Sequence, residues 1–206
     1  MSVREADDPV LFARVEAQNL LRQYDLLSNC VEITLAKGIE AFDKYTLWSL
    51  NAAATANIAQ FGGRFRTQPI YVGGHIPPHF EKIPSLIDEF LSMIHENWTI
   101  ATHPTVLPAY ALWRLNWIHP FTDGNGRTSR ALSYALLNIK LGYVLPGFPT
   151  IPQQIETDNS HYIEALEMAD EAARNGAEDI SEMEQMIRGM LAKQLVSVID
   201  QAGGKI

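Results

Sequence analysis

The chain has 206 residues, 47% of them hydrophobic, which is enough to bury one sizeable core. Its 16 Lys and Arg against 24 Asp and Glu leave a net charge of −8, which argues against a nucleic-acid partner but not against an anionic substrate in a locally basic site. One cysteine, Cys30, rules out an internal disulfide, and no apolar run of about 18 residues suggests a membrane span. The stretch MSVREADDPV lacks the basic flank and apolar segment of a secretory signal, so the expected setting is cytoplasmic, with export by a route without a cleaved signal as the other option.

In chain order, residues 8 to 37 predict a long helix. Asp8 can cap it, Pro9 falls at the first helical position, and Leu20, Tyr24, Leu27, Val31 and Leu35 keep helical spacing up to Gly38. A second helix is predicted over 43 to 59, with Asp43 as cap. FGGRFRTQPIYVGGHIPP then breaks the helical pattern: paired glycines flank a β-rich centre, Ile70–Tyr71–Val72, which predicts a small hairpin or edge strand. Helices follow at 84 to 96, with Leu86, Ile87, Phe90, Leu91 and Ile94 on one face, and at 105 to 118. A strongly apolar helix runs from 127 to 141 and ends near Gly142. VLPGFPTIP reads as a loop, and two helices, 159 to 174 and 179 to 200, close the chain. The whole reads as one mainly α domain over 1–206: an N-terminal helix to residue 38, and a core over 39–206 with one small β element at about 62–76.

The turn between the fourth and fifth predicted helices, WIHPFTDGNGRTSR, carries more polar equipment than a connector needs. Pro120, Gly124 and Gly126 break the helix, and Phe121 is its one large apolar residue, an expected anchor to the core. The next helix starts with unpaired N–H groups and a positive dipole end. Gly124 and Gly126 let a ligand approach that end, and Asn125 adds an amide or a cap, so the turn suits an anion such as phosphate. Arg127 and Arg130, three apart, can neutralise further phosphates. Asp123 beside a phosphate makes sense as a Mg²⁺ ligand, and His119 is the natural proton acceptor. The residues alone thus suggest a Mg-nucleotide site with a general base, transferring a phosphorus group to a hydroxyl. Neither a P-loop nor GxGxxG is present, since Ser129 stands where the third Gly belongs.

HPFTDGNGRTSR, residues 119–130, resembles the Fic signature HPFxDGNGRxxR at every defined position. GRFRTQPIYVGGHIPPH, residues 63–79, is similar to the family's hairpin flap, and HYIEALEMAD, residues 161–170, to the helix that shapes its adenine pocket. The resemblance covers residue 40 to the end. It implies a Fic-type helical bundle whose better-known members transfer AMP from ATP to Ser, Thr or Tyr of target proteins. By resemblance, His119 would deprotonate the hydroxyl and Asp123 would hold Mg²⁺. Gly124, Asn125 and Gly126 would line the anion hole, with Asn125 on the α-phosphate, while Arg127 and Arg130 would bind the β- and γ-phosphates. Ile70, Tyr71 and Val72 would dock an extended target segment by β-addition. Tyr162 and Asp170 would belong to the adenine pocket, Asp170 standing where relatives carry Asn.

Many family members also carry an inhibitory [S/T]xxxE[G/N], whose Glu pairs with the second motif Arg, here Arg130. SNCVEI has Ser28 and Glu32 but ends in Ile33; SMIHEN fits the letters with Ser92, Glu96 and Asn97 but lies between flap and motif; SHYIEA ends in Ala165. No internal inhibitory element is assigned, which leaves a separate antitoxin-like chain or an unregulated or target-activated enzyme. The alternatives for activity are transfer of another phosphorus-containing group and a nucleotide-binding module without turnover. The Doc-type kinase branch lacks the DGNGR form found here, which disfavours the first. The complete His119, Asp123, Asn125, Arg127, Arg130 set disfavours the second. No ligand role is assigned to the other histidines, and the four Trp read as packing residues.

Overall fold

The computed structural model describes residues 3–101 and 103–203, and among them it has eight α-helices. They are α1 (Pro9–Lys37), α2 (Lys44–Thr55), α3 (Ile83–Glu96), α4 (Val106–Ile118), α5 (Asn125–Leu141), α6 (Ile151–Thr157), α7 (Ser160–Arg174) and α8 (Ser181–Gln201). α4 and α5 form the centre, packed on one another, with α1 and α2 against α5 and α3, α7 and α8 against α4. Trp113, Leu115 and Ile118 of α4 and Leu132, Tyr134 and Leu136 of α5 are all 1% exposed or less. Both helices are buried over most of their length, α5 with Thr128, Ser129, Ser133 and Asn138 among its buried residues, and the domain is built around this pair.

Capping follows the sequence signals. Asp8 accepts from Leu11 N–H at 2.9 Å with Pro9 at the first position of α1, and Asp43 accepts from Tyr45 N–H at 2.9 Å to start α2. Gly142 ends α5 in the left-handed conformation, φ 85. α2 stops at Thr55 rather than 59, and α5 begins at Asn125, two residues earlier than periodicity suggested.

Three expectations are corrected. The buried stripe of α1 is Asn19, Gln23, Leu27, Val31 and Thr34, while Leu20, Tyr24 and Leu35 are about two-fifths exposed. Polar residues belong on this stripe because Asn19 Nδ2 donates to Ala56 O at 2.8 Å and Gln23 Nε2 to Leu50 O at 3.0 Å, satisfying carbonyls of α2 and the residue after it. The segment read as a loop contains the start of α6: Thr150 and Gln153 form a capping box, and Pro152 is tolerated in the first turn. Finally, Ile70–Tyr71–Val72 is not a strand. Among the described residues the β pairing here shrinks to one bridge between Val72 and His75 around Gly73–Gly74. Pro69 on the outgoing arm and Pro77–Pro78 on the return supply no N–H, so a ladder cannot extend.

Candidate active site

The turn from α4 into α5 reverses direction at His119, which caps α4 in the left-handed region at φ 50. Phe121 is 1% exposed and packs beside Phe65, ring centroids 5.7 Å apart. Gly124 then starts α5 at φ 76; a Cβ there would lie 2.5 Å from Thr55 Cγ2, so α2 closes the back of the turn and only glycine fits. Thr128 N–H bonds to Gly124 O, so the N–H groups of Asn125, Gly126 and Arg127 head the helix without intrahelical acceptors. Around them lies a shallow depression of about 310 Å³ lined by His119, Asp123 and Gly124 through Arg127, with Arg130. This is an anion cradle at a helix N-terminus.

His119 is held by its own helix. Its Nδ1 is 3.1 Å from Asn116 O. A carbonyl only accepts, so Nδ1 carries the hydrogen and Nε2 keeps its lone pair. Burial pushes the imidazole pKa down to about 4, and the nearby His75 and Arg66 push the same way against the Asn116 bond. The group is therefore neutral at physiological pH and ready to accept a proton. Asn116 is itself fixed by bonds from Nδ2 to Ser129 Oγ at 2.6 Å and Tyr162 Oη at 2.7 Å.

The two arginines differ. Arg127 reaches Glu16 of α1 at 3.1 Å, Ala54 O at 3.1 Å and Asp123 at 3.2 Å. Arg130 lines the cradle with no carboxylate within 4.0 Å among the described residues. Asp123 uses Oδ1 for Arg127 and Gly124 N–H, and Oδ2 has no hydrogen-bond partner among the described residues. No group of three His, Cys, Asp or Glu converges among those residues, so a cation at Asp123 would have one protein carboxylate and take its other ligands from phosphate and water. Mg²⁺ is bound to nucleotides in that manner, and the residues fit it.

Some assigned residues do other work. The Asn125 side chain is 3% exposed and closes the turn on itself, accepting from Phe121 N–H at 2.9 Å and donating to Phe121 O at 2.8 Å. Its backbone N–H is then the group that Asn125 offers an anion. Tyr162 is 6% exposed, its hydroxyl accepts from Asn116, and it supports the core side of the turn. The α7 residues that do line a cavity are Ile163, Leu166, Glu167, Asp170, Glu171 and Arg174. That cavity, about 610 Å³, lies between α7, Trp117 and the Val72–His75 turn, and it also reaches His119. Asp170 enters it with partners already in place: Oδ1 accepts from Trp113 Nε1 at 2.8 Å, and Oδ2 is 3.5 Å from His75 Nδ1. His75 Nε2 donates to Trp117 O at 2.8 Å and so holds the flap turn on α4. Tyr71 is 80% exposed, and neither Ile70 nor Tyr71 N–H has a backbone partner among the described residues.

Asn51 and Arg66 were not singled out by sequence. Asn51, 1% exposed on α2, donates to Asp123 O at 2.9 Å and Thr128 Oγ1 at 3.1 Å and accepts from Gly63 N–H at 2.9 Å. Of the polar residues buried on α2, Thr46, Asn51 and Thr55, only Asn51 carries an amide. Arg66, 4% exposed, donates from Nε to His119 O at 2.8 Å. Of the inhibitory candidates, Glu32 and Glu96 are exposed, and neither forms an ion pair with Arg130 among the described residues.

Residues 41–137 match the model of the Fic/DOC family. The chain is 32% identical over 160 residues to a protein of Drosophila persimilis named Protein adenylyltransferase Fic, covering 76% of this chain and 30% of that one. It is 39% identical over 111 residues to the protein of that name from Aedes aegypti, covering 53% and 21%. The chain thus spans less than a third of these relatives. A solved Fic-domain-containing signaling protein from Bacteroides thetaiotaomicron superposes with a TM-score of 0.72 at 16% identity, over 93% of this chain and 74% of that one, a likeness of fold.

Proposed function

The chain carries a Fic/DOC family domain over residues 41–137, and we propose that it is a protein adenylyltransferase, moving AMP from ATP to a hydroxyl of a target protein with release of pyrophosphate. One observation carries the reading: His119, neutral and with Nε2 free, stands where the anion cradle of α5 meets the cavity under the flap turn.

The triphosphate lies across the start of α5. The free N–H groups of Asn125, Gly126 and Arg127 receive oxygens of the reacting phosphate, and Arg127 and Arg130 hold the phosphates beyond it. Asp123 holds Mg²⁺, which when bound offsets charge on the triphosphate. The nucleoside extends from His119 into the larger cavity, against Trp117, Ile163 and Leu166. Base recognition through Asp170 is secondary, because that carboxylate is already shared by Trp113 and His75. The exposed backbone of Ile70 and Tyr71 receives an extended target segment, which aims its hydroxyl at His119. His119 Nε2 takes the hydroxyl proton, the oxygen forms a bond to the α-phosphorus, and the bond from that phosphorus to the bridging oxygen breaks. Pyrophosphate leaves with that electron pair. Preorganised N–H groups and cations supply most of the rate, since they need no rearrangement as charge moves toward the leaving group.

Lysate incubated with the protein, Mg²⁺ and ATP labelled on either the α- or the γ-phosphate tests the proposal, with His119→Ala as control. Protein label from α-labelled ATP alone, lost in the variant, is expected. Label from γ-labelled ATP alone would replace this reading with a kinase, and no label from either, with ATP still bound, with a nucleotide-binding module.

A further inference from the structure

Arg66 is a buried cation without a counter-ion. It is 4% exposed, and among the described residues no carboxylate lies within 4.0 Å of it. Its guanidinium is satisfied by three carbonyls: Nε donates to His119 O at 2.8 Å, Nη1 to Gln68 O at 3.1 Å and Nη2 to Pro78 O at 2.6 Å. Its backbone N–H donates to Pro120 O at 2.8 Å, and the adjacent Phe65 makes a β-bridge to Phe121. One residue therefore holds two successive carbonyls of the turn, at His119 and Pro120, and both arms of the flap, at Gln68 and Pro78. Burying an unpaired guanidinium is costly, and a purely structural clamp could be built from neutral donors. The charge has a local reason here: His119 O lies at the C-terminal end of α4, where carbonyl dipoles accumulate and a cation is favoured.

We propose that Arg66 is a positioning residue of the reaction, whose guanidinium locks the two arms of the flap to the backbone of His119 and thereby fixes the distance between a docked target hydroxyl and the base. The inference rests on the adenylyl-transfer reading for its rate measurement, and on geometry and the charge of Arg66 near His119 for the rest. His119 sits at positive φ, a conformation that a non-glycine residue keeps only when its surroundings enforce it. The Asn116 carbonyl fixes the imidazole, and Arg66 fixes the backbone beneath it. Arg66 also contributes to keeping the imidazole neutral, as its charge lies on the side that disfavours a second cation. Arg66 does not line the anion cradle, so it acts on the base and the flap and not on the triphosphate.

Arg66→Met and Arg66→Lys, compared with wild type, test this. At saturating ATP the rate of label transfer from α-labelled ATP is expected to fall about 100-fold in R66M, the scale of an ångström misplacement, and less in R66K, which keeps the charge without the three-way fork. ATP affinity of the folded variants is expected to stay within about threefold of wild type, because the cradle is untouched. The His119 imidazole, followed by NMR, is expected to titrate at higher pH in R66M. A merely structural role predicts loss of ATP binding in step with rate, or unchanged rate per folded molecule with an unmoved His119 titration; either overturns the proposal. Wild-type protein gives a reading that needs no variant: the Arg66 Nε–H is expected to exchange slowly with solvent and to shift as His119 titrates. A rapidly exchanging signal overturns the proposal even if both variants fail to fold. Absence of label from α-labelled ATP in the wild type would defeat the adenylyl-transfer reading alone, since the NMR and binding readouts do not depend on it.

Discussion

Glu16 and Arg127, 111 residues apart in sequence, meet at 3.1 Å, so the N-terminal helix places a carboxylate on an arginine of the anion cradle. Asp123 reaches the same guanidinium at 3.2 Å. In the proposed function, incoming phosphates would share Arg127 with both carboxylates. Replacing Glu16 by Gln removes one competitor, while the bond from Arg127 to Ala54 O keeps the side chain in place. Glu16 is 43% exposed, so the gain is modest, on the order of 1 kcal/mol or less. Tighter ATP binding by about two- to fivefold is expected by calorimetry, most clearly at low salt. Weaker binding in E16Q would mean that Glu16 orients Arg127 and does not compete for it.

The depressed pKa of His119 has a consequence for stability with a definite sign. The imidazole titrates near 4 in the fold against 6.5 in an unfolded chain, so between those values the unfolded chain binds more protons. Stability is then full above about pH 6.5 and falls as pH drops toward 4. Urea unfolding at a series of pH values is expected to show this slope, and His119→Ala to reduce it. The activity counterpart is a rate that is flat across about pH 6 to 8; an inflection near 6.5 attributable to His119 would contradict the buried, neutral assignment.

Gly124 is the least replaceable residue of the turn. Alanine would be strained at φ 76 and would push its Cβ to 2.5 Å from Thr55 Cγ2 and 3.0 Å from Asn51 Nδ2. A loss of about 2–4 kcal/mol is expected by urea denaturation, with ATP binding lost as well. Thr55→Ser removes the obstructing methyl and keeps the hydroxyl that donates to Asn51 O. The double variant should recover part of the loss; no recovery would assign the effect to backbone strain alone.

Asp170 is expected to matter as an acceptor more than as a charge. Its Oδ1 takes the indole N–H of Trp113, a residue 1% exposed. Asp170→Ala orphans that donor and should cost about 1–3 kcal/mol, whereas Asp170→Asn keeps an oxygen there and should cost much less. Thermal unfolding of the two variants checks the order; equal losses would show that the Oδ2 contact with His75 carries the contribution.

Chelation gives a separate check on Asp123. With one carboxylate offered and no cluster of three ligands among the described residues, EDTA is expected to leave the melting temperature unchanged while abolishing transfer from ATP. A melting temperature that falls with EDTA in the absence of nucleotide would point to a resident structural metal.

Seven of the eight helices described, all but α6, are legible in the chain as local signals, and so are the residue types gathered in the turn. Caps at Asp8 and Asp43 and the stop at Gly142 are local signals that act over a few residues, and packing had no reason to overrule them. The same is true of the sequence His119–Pro120–Phe121 to Arg130, whose glycines and charged groups are neighbours along the chain. Tertiary structure decided the rest. Asn19 and Gln23 are buried, and Leu20 and Tyr24 exposed, because the end of α2 presents carbonyls that only polar side chains can satisfy. The flap has no strand because prolines on both arms remove the donors that a ladder requires. The Asn125 amide and the Tyr162 hydroxyl are taken up by partners that close on them in space, which leaves Asn125 only its backbone N–H for an anion. Arg66 is the clearest case: an arginine in a glycine-rich stretch reads as solvent-facing until residues 68, 78 and 119 are folded around it, because the acceptors that make its burial possible are 2, 12 and 53 residues away.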